Sequence, residues 1–139
     1  MIFGDGLGWT RVLLLAAGAA ALPAGAQTVR LYAGDRAEIV ATAAAAPTVL
    51  RLGQPWTAPV PALELAPAAL GQPLNRICCT TPNCASERNV VVGAPRSEVI
   101  GRYGAAWLPT SSATRLAYPG IQFDFDGGQR VQRICVVPR

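Results

Sequence analysis

Histidine is absent from the chain, and so is lysine. Without histidine there is no Ser-His-Asp or Cys-His relay, and the commonest metal ligand is missing. Methionine occurs only at position 1, which excludes a Met/His copper site from the rest of the chain. No Gly-rich phosphate loop is present. No paired Cys-x-x-Cys occurs, so the usual zinc spacing is missing. Blocks of like charge are missing too. The twelve arginines are scattered and the net charge is +4. That argues against a dedicated nucleic-acid face and leaves a weak association with an anionic or envelope surface. Arginine without lysine, among much Ala, Gly and Pro, reflects a GC-rich genome more than a binding need.

The chain has 139 residues, enough for one domain or two very small ones. Val12 to Ala21 is an apolar run preceded by Arg11. Leu22-Pro23-Ala24-Gly25-Ala26 then supplies a break and an Ala-x-Ala site. This layout predicts a secretory signal peptide over residues 1–26, and the run is too short for a stable membrane span. No cysteine stands at the cleavage site, so no lipid anchor is indicated. The expected protein is bacterial, periplasmic or secreted, with one small domain over residues 27–139.

All four cysteines, Cys78, Cys79, Cys84 and Cys135, lie in that domain. An even count in an exported chain predicts disulfides. The favoured pairs are Cys79–Cys84, as a local clasp, and Cys78–Cys135. The neighbours Cys78 and Cys79 are the least favoured pair, because their ring is strained. The competing use of this cluster is a thiol-redox or metal-binding site.

Cys78 and Cys135 each close a repeated phrase. Gly71-Gln72-Pro73-Leu74-Asn75-Arg76-Ile77-Cys78 returns as Gly128-Gln129-Arg130-Val131-Gln132-Arg133-Ile134-Cys135. Arg36-Ala37-Glu38-Ile39-Val40-Ala41 likewise parallels Arg96-Ser97-Glu98-Val99-Ile100-Gly101. Together they suggest tandem units over residues 28–85 and 86–139. Related strands lying side by side would bring Cys78 to Cys135.

Alternation predicts strands at Thr28–Tyr32, Thr48–Leu52, Ala62–Leu65 and Thr114–Tyr118. Ile121, Phe123 and Phe125 alternate with Gln122, Asp124 and Asp126 in the clearest half-buried strand, and Gly127-Gly128 predicts a tight hairpin after it. Asn89–Val92 is a further short β-branched run. Asp35-Arg36-Ala37-Glu38 reads as a capping box opening a helix toward Ala46, with a strand over Glu38–Thr42 as the alternative. Thr80–Asn83 is a turn suited to a clasped hairpin or loop. A second helix follows Pro95, with Val99 and Tyr103 on one face and Gly104 at its end. The expected fold is α+β: a twisted antiparallel sheet with one or two short helices, stapled by disulfides.

The stretch from Val92-Gly93-Ala94-Pro95 through Glu98-Val99, Tyr103-Gly104 and Tyr118 to Phe123-Asp124-Phe125-Asp126-Gly127-Gly128 resembles the repeat of β-lactamase-inhibitor-protein-like domains. It is also similar to small bacterial outer-membrane assembly lipoproteins. The first half departs from that pattern: it is Pro-rich where the hairpin should be and lacks the aromatic strand. The resemblance implies a helix-on-sheet, non-catalytic module that binds a protein.

Asp124 and Asp126 before Gly127 form a fragment of a calcium loop, but the other ligands are missing. As outward residues of a strand they read as solvated charges. Glu98 suits the helix start. Trp56 and Trp107 sit in loops rich in Pro, Thr and Ser. With Tyr103 they are candidate partner-binding aromatics, core anchoring being the plainer reading. No enzyme activity and no cofactor are expected.

Overall fold

The computed structural model describes residues 27–41, 46–57, 60–61 and 63–139. The expected signal peptide lies outside the described residues. Nine strands and one helix are present among those described. They are β1 (Thr28–Tyr32), β2 (Arg36–Val40), β3 (Thr48–Arg51), β4 (Leu63–Ala66), β5 (Arg76–Cys79), β6 (Cys84–Ser86), α1 (Arg96–Tyr103), β7 (Arg115–Tyr118), β8 (Ile121–Phe125) and β9 (Val131–Val136). The fold is therefore mostly β with one short helix, in two sheets. One runs β3-β2-β1-β6 and the other β4-β5-β9-β8-β7. The second sheet is antiparallel at every pairing, whereas β6 joins β1 parallel.

The expected first helix is a strand. In β2, Ala37 and Ile39 face inward opposite Leu31 and Val29, and Arg36 and Glu38 face outward. Period-two burial of a β-branched residue outweighed the capping pattern. Asp35 caps nothing. It pairs with Arg36 and Arg51, and Arg36 also donates to Glu38 (2.8 Å). Residues 42–45 of that expected helix lie outside the described residues. In the β-branched run Asn89–Val92 only Val91 makes an isolated bridge, to Ala85, while Val90 is fully buried. The two segments matched as repeat partners thus fold differently, Arg36–Val40 as strand and Arg96–Tyr103 as helix.

The doubled phrase has a different outcome. Its two Arg-Ile-Cys ends are adjacent antiparallel strands, with Cys78 directly opposite Cys135 at a Cα separation of 4.0 Å. That bridge lies within one sheet. Cys79 pairs with Cys84, and these sit in different sheets, so residues 80–83 form a crossover and not a hairpin.

The core lies where the two sheets face each other. Val29, Leu31, Ile39 and Leu50 come from the first sheet; Ile77, Leu116, Phe123, Ile134 and Val136 from the second. Each large side chain buried fully there contributes about 1.5–3 kcal/mol. Helix α1 adds Val99, and its Tyr103 packs on Tyr118 and Phe123 with ring centroids 5.3 and 5.1 Å away. The helix ends at Gly104, whose N–H donates to Ile100 O (2.7 Å).

Two turns tie the sheets together. Pro119-Gly120 joins β7 to β8, and Ala33-Gly34 follows β1. Gly34 N–H donates to Gly120 O (2.8 Å), and Val137 N–H donates to the same oxygen (3.0 Å). Arg139 lies over Gly34 and donates to Ala33 O (3.2 Å).

Candidate functional site

β7 is an edge strand, and an uncovered edge invites pairing with another chain. The loop before it covers that edge. Leu108 N–H donates to Ala117 O (2.7 Å), and Ala117 N–H donates to Ser111 Oγ (2.9 Å). These bonds hold the loop while two consecutive large apolar side chains point outward, Trp107 at 40% exposure and Leu108 at 38%. Beside them is a cleft of about 300 Å³ lined by Leu108, Ala117, Tyr118, Pro119, Val137 and Pro138. Leu108 was not singled out from sequence; its neighbour Trp107 was.

Trp56 is not part of this surface. It is buried in the core, its indole N–H donating to Pro67 O (3.2 Å), so the exposed-anchor reading is corrected for this residue. Tyr103 is half-buried against Tyr118 and Phe123, with the Arg88 guanidinium 4.8 Å above its ring. The structure therefore does not gather the three aromatics. All four cysteines are fully buried and disulfide-bonded.

Burial raises the phenol pKa of both Tyr103 and Tyr118 above the ordinary tyrosine value. The Tyr103 hydroxyl is buried with no partner in hydrogen-bond geometry among the described residues, and the nearby Ser86 and Arg88 offset only part of the upward shift that burial causes. Tyr118 Oη donates to Gly104 O (2.8 Å). The fold thus keeps both protons beyond the pH, about 10, at which an unfolded tyrosine releases its own. The resulting stability is complete below about pH 10 and is lost as pH rises through the folded values. Denaturant midpoints are expected to hold steady to about pH 10 and then fall. Tyr103→Phe should weaken that fall and be neutral or stabilising by up to about 1 kcal/mol at pH 7, whereas Tyr118→Phe should cost about 1 kcal/mol. Equal effects at the two positions would show that the hydroxyls are not partnered as described.

The second polar feature lies on the face of the β4-to-β7 sheet opposite the core. Asp124 is only 6% exposed, which corrects its reading as a solvated charge. Two arginines hold it. Arg115 donates from Nε (2.6 Å) and Nη2 (3.4 Å), and Arg133 donates from Nε (2.8 Å), with its Nη2 in ion-pair contact at 2.8 Å. A buried carboxylate is tolerated when it is paired and hydrogen-bonded in this way. The hydrogen bond to Asp124 raises the pKa of Arg133 against the lowering effect of burial. Asp126, two residues on, is exposed and accepts the N–H groups of Gly128 and Arg130 (2.9 and 3.0 Å) in a local turn. The two aspartates serve separate purposes, and no cluster of metal-ligating side chains occurs among the described residues. Among those residues no helix is long and apolar enough to cross a membrane.

The chain matches no protein-family model, no curated protein and no solved structure.

Proposed function

We propose that this is an exported, non-catalytic module that binds a protein in the periplasm or outside the cell. The observation that carries this reading is the pair Trp107 and Leu108, exposed on a loop fixed to β7 beside an apolar cleft. Large aromatic side chains held in place at a surface are typical binding anchors. Two disulfides suit an oxidising compartment outside the cytoplasm. The resemblance to β-lactamase-inhibitor-protein-like domains points the same way. It rests on the helix-then-hairpin half of the chain, where α1 packs on β7 and β8. In this reading the doubled phrase records two neighbouring strands and not two separately folded halves. The thiol-redox alternative is disfavoured by the burial of all four cysteines, since exchange needs an accessible sulfur.

The test uses the mature chain as bait on an envelope extract, followed by affinity measurement with the purified partner. Trp107→Ala should weaken that affinity by about thirtyfold, the loss expected of a central anchor. Trp107→Ala is exposed enough to leave the fold intact, which its denaturation midpoint will verify. Equal capture by wild type and variant would refute the reading.

A further inference from the structure

The geometry points to a phosphate-binding pocket on the outer face of the β4-to-β7 sheet, built on Arg115 and Arg133. The pocket has a volume of about 370 Å³. Its floor is the Arg115–Asp124–Arg133 cluster. Its wall is the loop before β7, which contributes Thr110, Ser112 and Thr114. The opposite side is Gln132, exposed on β9.

Three observations converge on an oxyanion. First, the charged residues lining the pocket are two arginines and one aspartate, so its own charge is +1. Glu64 reaches Arg133 Nη1 from outside the lining, at 3.3 Å, and offsets part of that arginine's charge, so the guanidinium edge open to a ligand is that of Arg115. Second, the carboxylate fixes the guanidiniums before any ligand arrives. Both arginines use their Nε edges on Asp124, and Arg115 Nη1 has no hydrogen-bond partner among the described residues. A guanidinium already held by one carboxylate loses little freedom on binding a second acceptor. Third, a β-bulge shifts the register between β8 and β9 beside Asp124, pairing Asp124 with Arg133 and Phe125 with Val131. The extra residue is Gln132, which the bulge turns into the same pocket as Arg133. Bulges recur where a side chain has to be re-aimed beside a site.

The remaining groups are Phe125, the Gln132 amide and three hydroxyls, of which Ser112 and Thr114 lie 3.3 Å from each other. Apart from Asp124, whose oxygens are already occupied, no carboxylate lines the pocket. Donors reach it from the sheet floor, the hydroxyl wall and Gln132. That arrangement suits a tetrahedral phosphate better than a planar carboxylate. The phosphate can belong to a free anion or to a phospholipid headgroup at a membrane surface.

Two arms separate these sources. In the first, inorganic phosphate is titrated into the isotopically labelled chain while the Arg115 and Arg133 Nε resonances are followed. The expected result is saturable shifts at both arginines, with affinity reduced about tenfold in Arg115→Gln, the worth of one charge-assisted hydrogen bond. Thr114→Val removes one wall hydroxyl without touching the Asp124 cluster and should weaken binding by a smaller factor. It keeps the test decisive if Arg115→Gln does not fold. In the second arm, co-sedimentation compares phosphatidylglycerol with phosphatidylcholine vesicles at low and high salt. Headgroup binding predicts retention on phosphatidylglycerol that falls in Thr114→Val. Saturable binding of inorganic phosphate without such retention assigns the site to a free anion. No saturable shift with phosphate, together with vesicle binding unchanged in Thr114→Val, overturns the proposal.

Discussion

Replacing both Cys78 and Cys135 with alanine lowers the unfolding free energy by about 4 kcal/mol, roughly twice the loss from removing Cys79 and Cys84. The difference follows from loop length. The first bridge closes a separation of 57 residues and the second a separation of five. A cross-link restricts the unfolded chain more when it closes a longer loop. The short bridge does connect the two sheets, but residues 80–83 already tether them over the same distance, so its loss frees few conformations. The long bridge ties the first phrase to the last strand, and nothing local replaces it. Urea denaturation of the two double variants measures the contrast. If the short bridge proves the costlier loss, inter-sheet docking matters more than unfolded-state entropy.

Much of the strand content was legible because alternation is a local signal. Val29 and Leu31, Ile121 and Phe123, and Ile134 and Val136 all point inward as their spacing implies. The doubled phrase also pointed toward the bridge between Cys78 and Cys135, since related strands can pair. Pairing between distant strands was not legible in the same way. Nothing local says that β6 leaves the sheet of β5 to lie parallel to β1. Nothing local makes Arg36-Ala37-Glu38 a strand when, with Asp35 before it, its letters also spell a capping box; β1 and β3 on either side decide it.

The polar cluster shows the same limit more sharply. A regular hairpin counted back from Phe125 and Val131 sets Asp124 opposite Gln132. The bulge moves Arg133 into that place instead. One unpaired residue thus turns an apparently solvated aspartate into a buried one with two guanidiniums. Trp56 and Trp107 illustrate a different gap. Both sit in loops of similar composition, and only the tertiary fold distinguishes the indole bonded to Pro67 O from the one left at the surface.

Gly120→Ala is expected to cost about 4 kcal/mol or more, from three effects acting at one atom. Gly120 has φ +84°, and with Pro119 before it makes the turn between β7 and β8. An L-residue in that region of backbone space loses about 1–2 kcal/mol. The added Cβ would also stand 2.5 Å from Gly34 N and 2.8 Å from the carbonyl carbon of Ala33. Both are backbone atoms with no rotamer by which to yield, so overpacking adds about 1–3 kcal/mol. The relief available is to push the turns apart. That weakens the bonds from Gly34 N–H and Val137 N–H to Gly120 O, each worth about 1 kcal/mol. Gly101→Ala supplies the opposite case. Gly101 is exposed within α1, and a Cβ there meets nothing within 4 Å. Alanine at that position should stabilise by about 0.5–1 kcal/mol through helix propensity alone. Thermal or urea unfolding of the two single variants should therefore move in opposite directions. A Gly120→Ala midpoint close to wild type would mean that the two turns do not meet as described, and with them the contact that joins the sheets at this end would go.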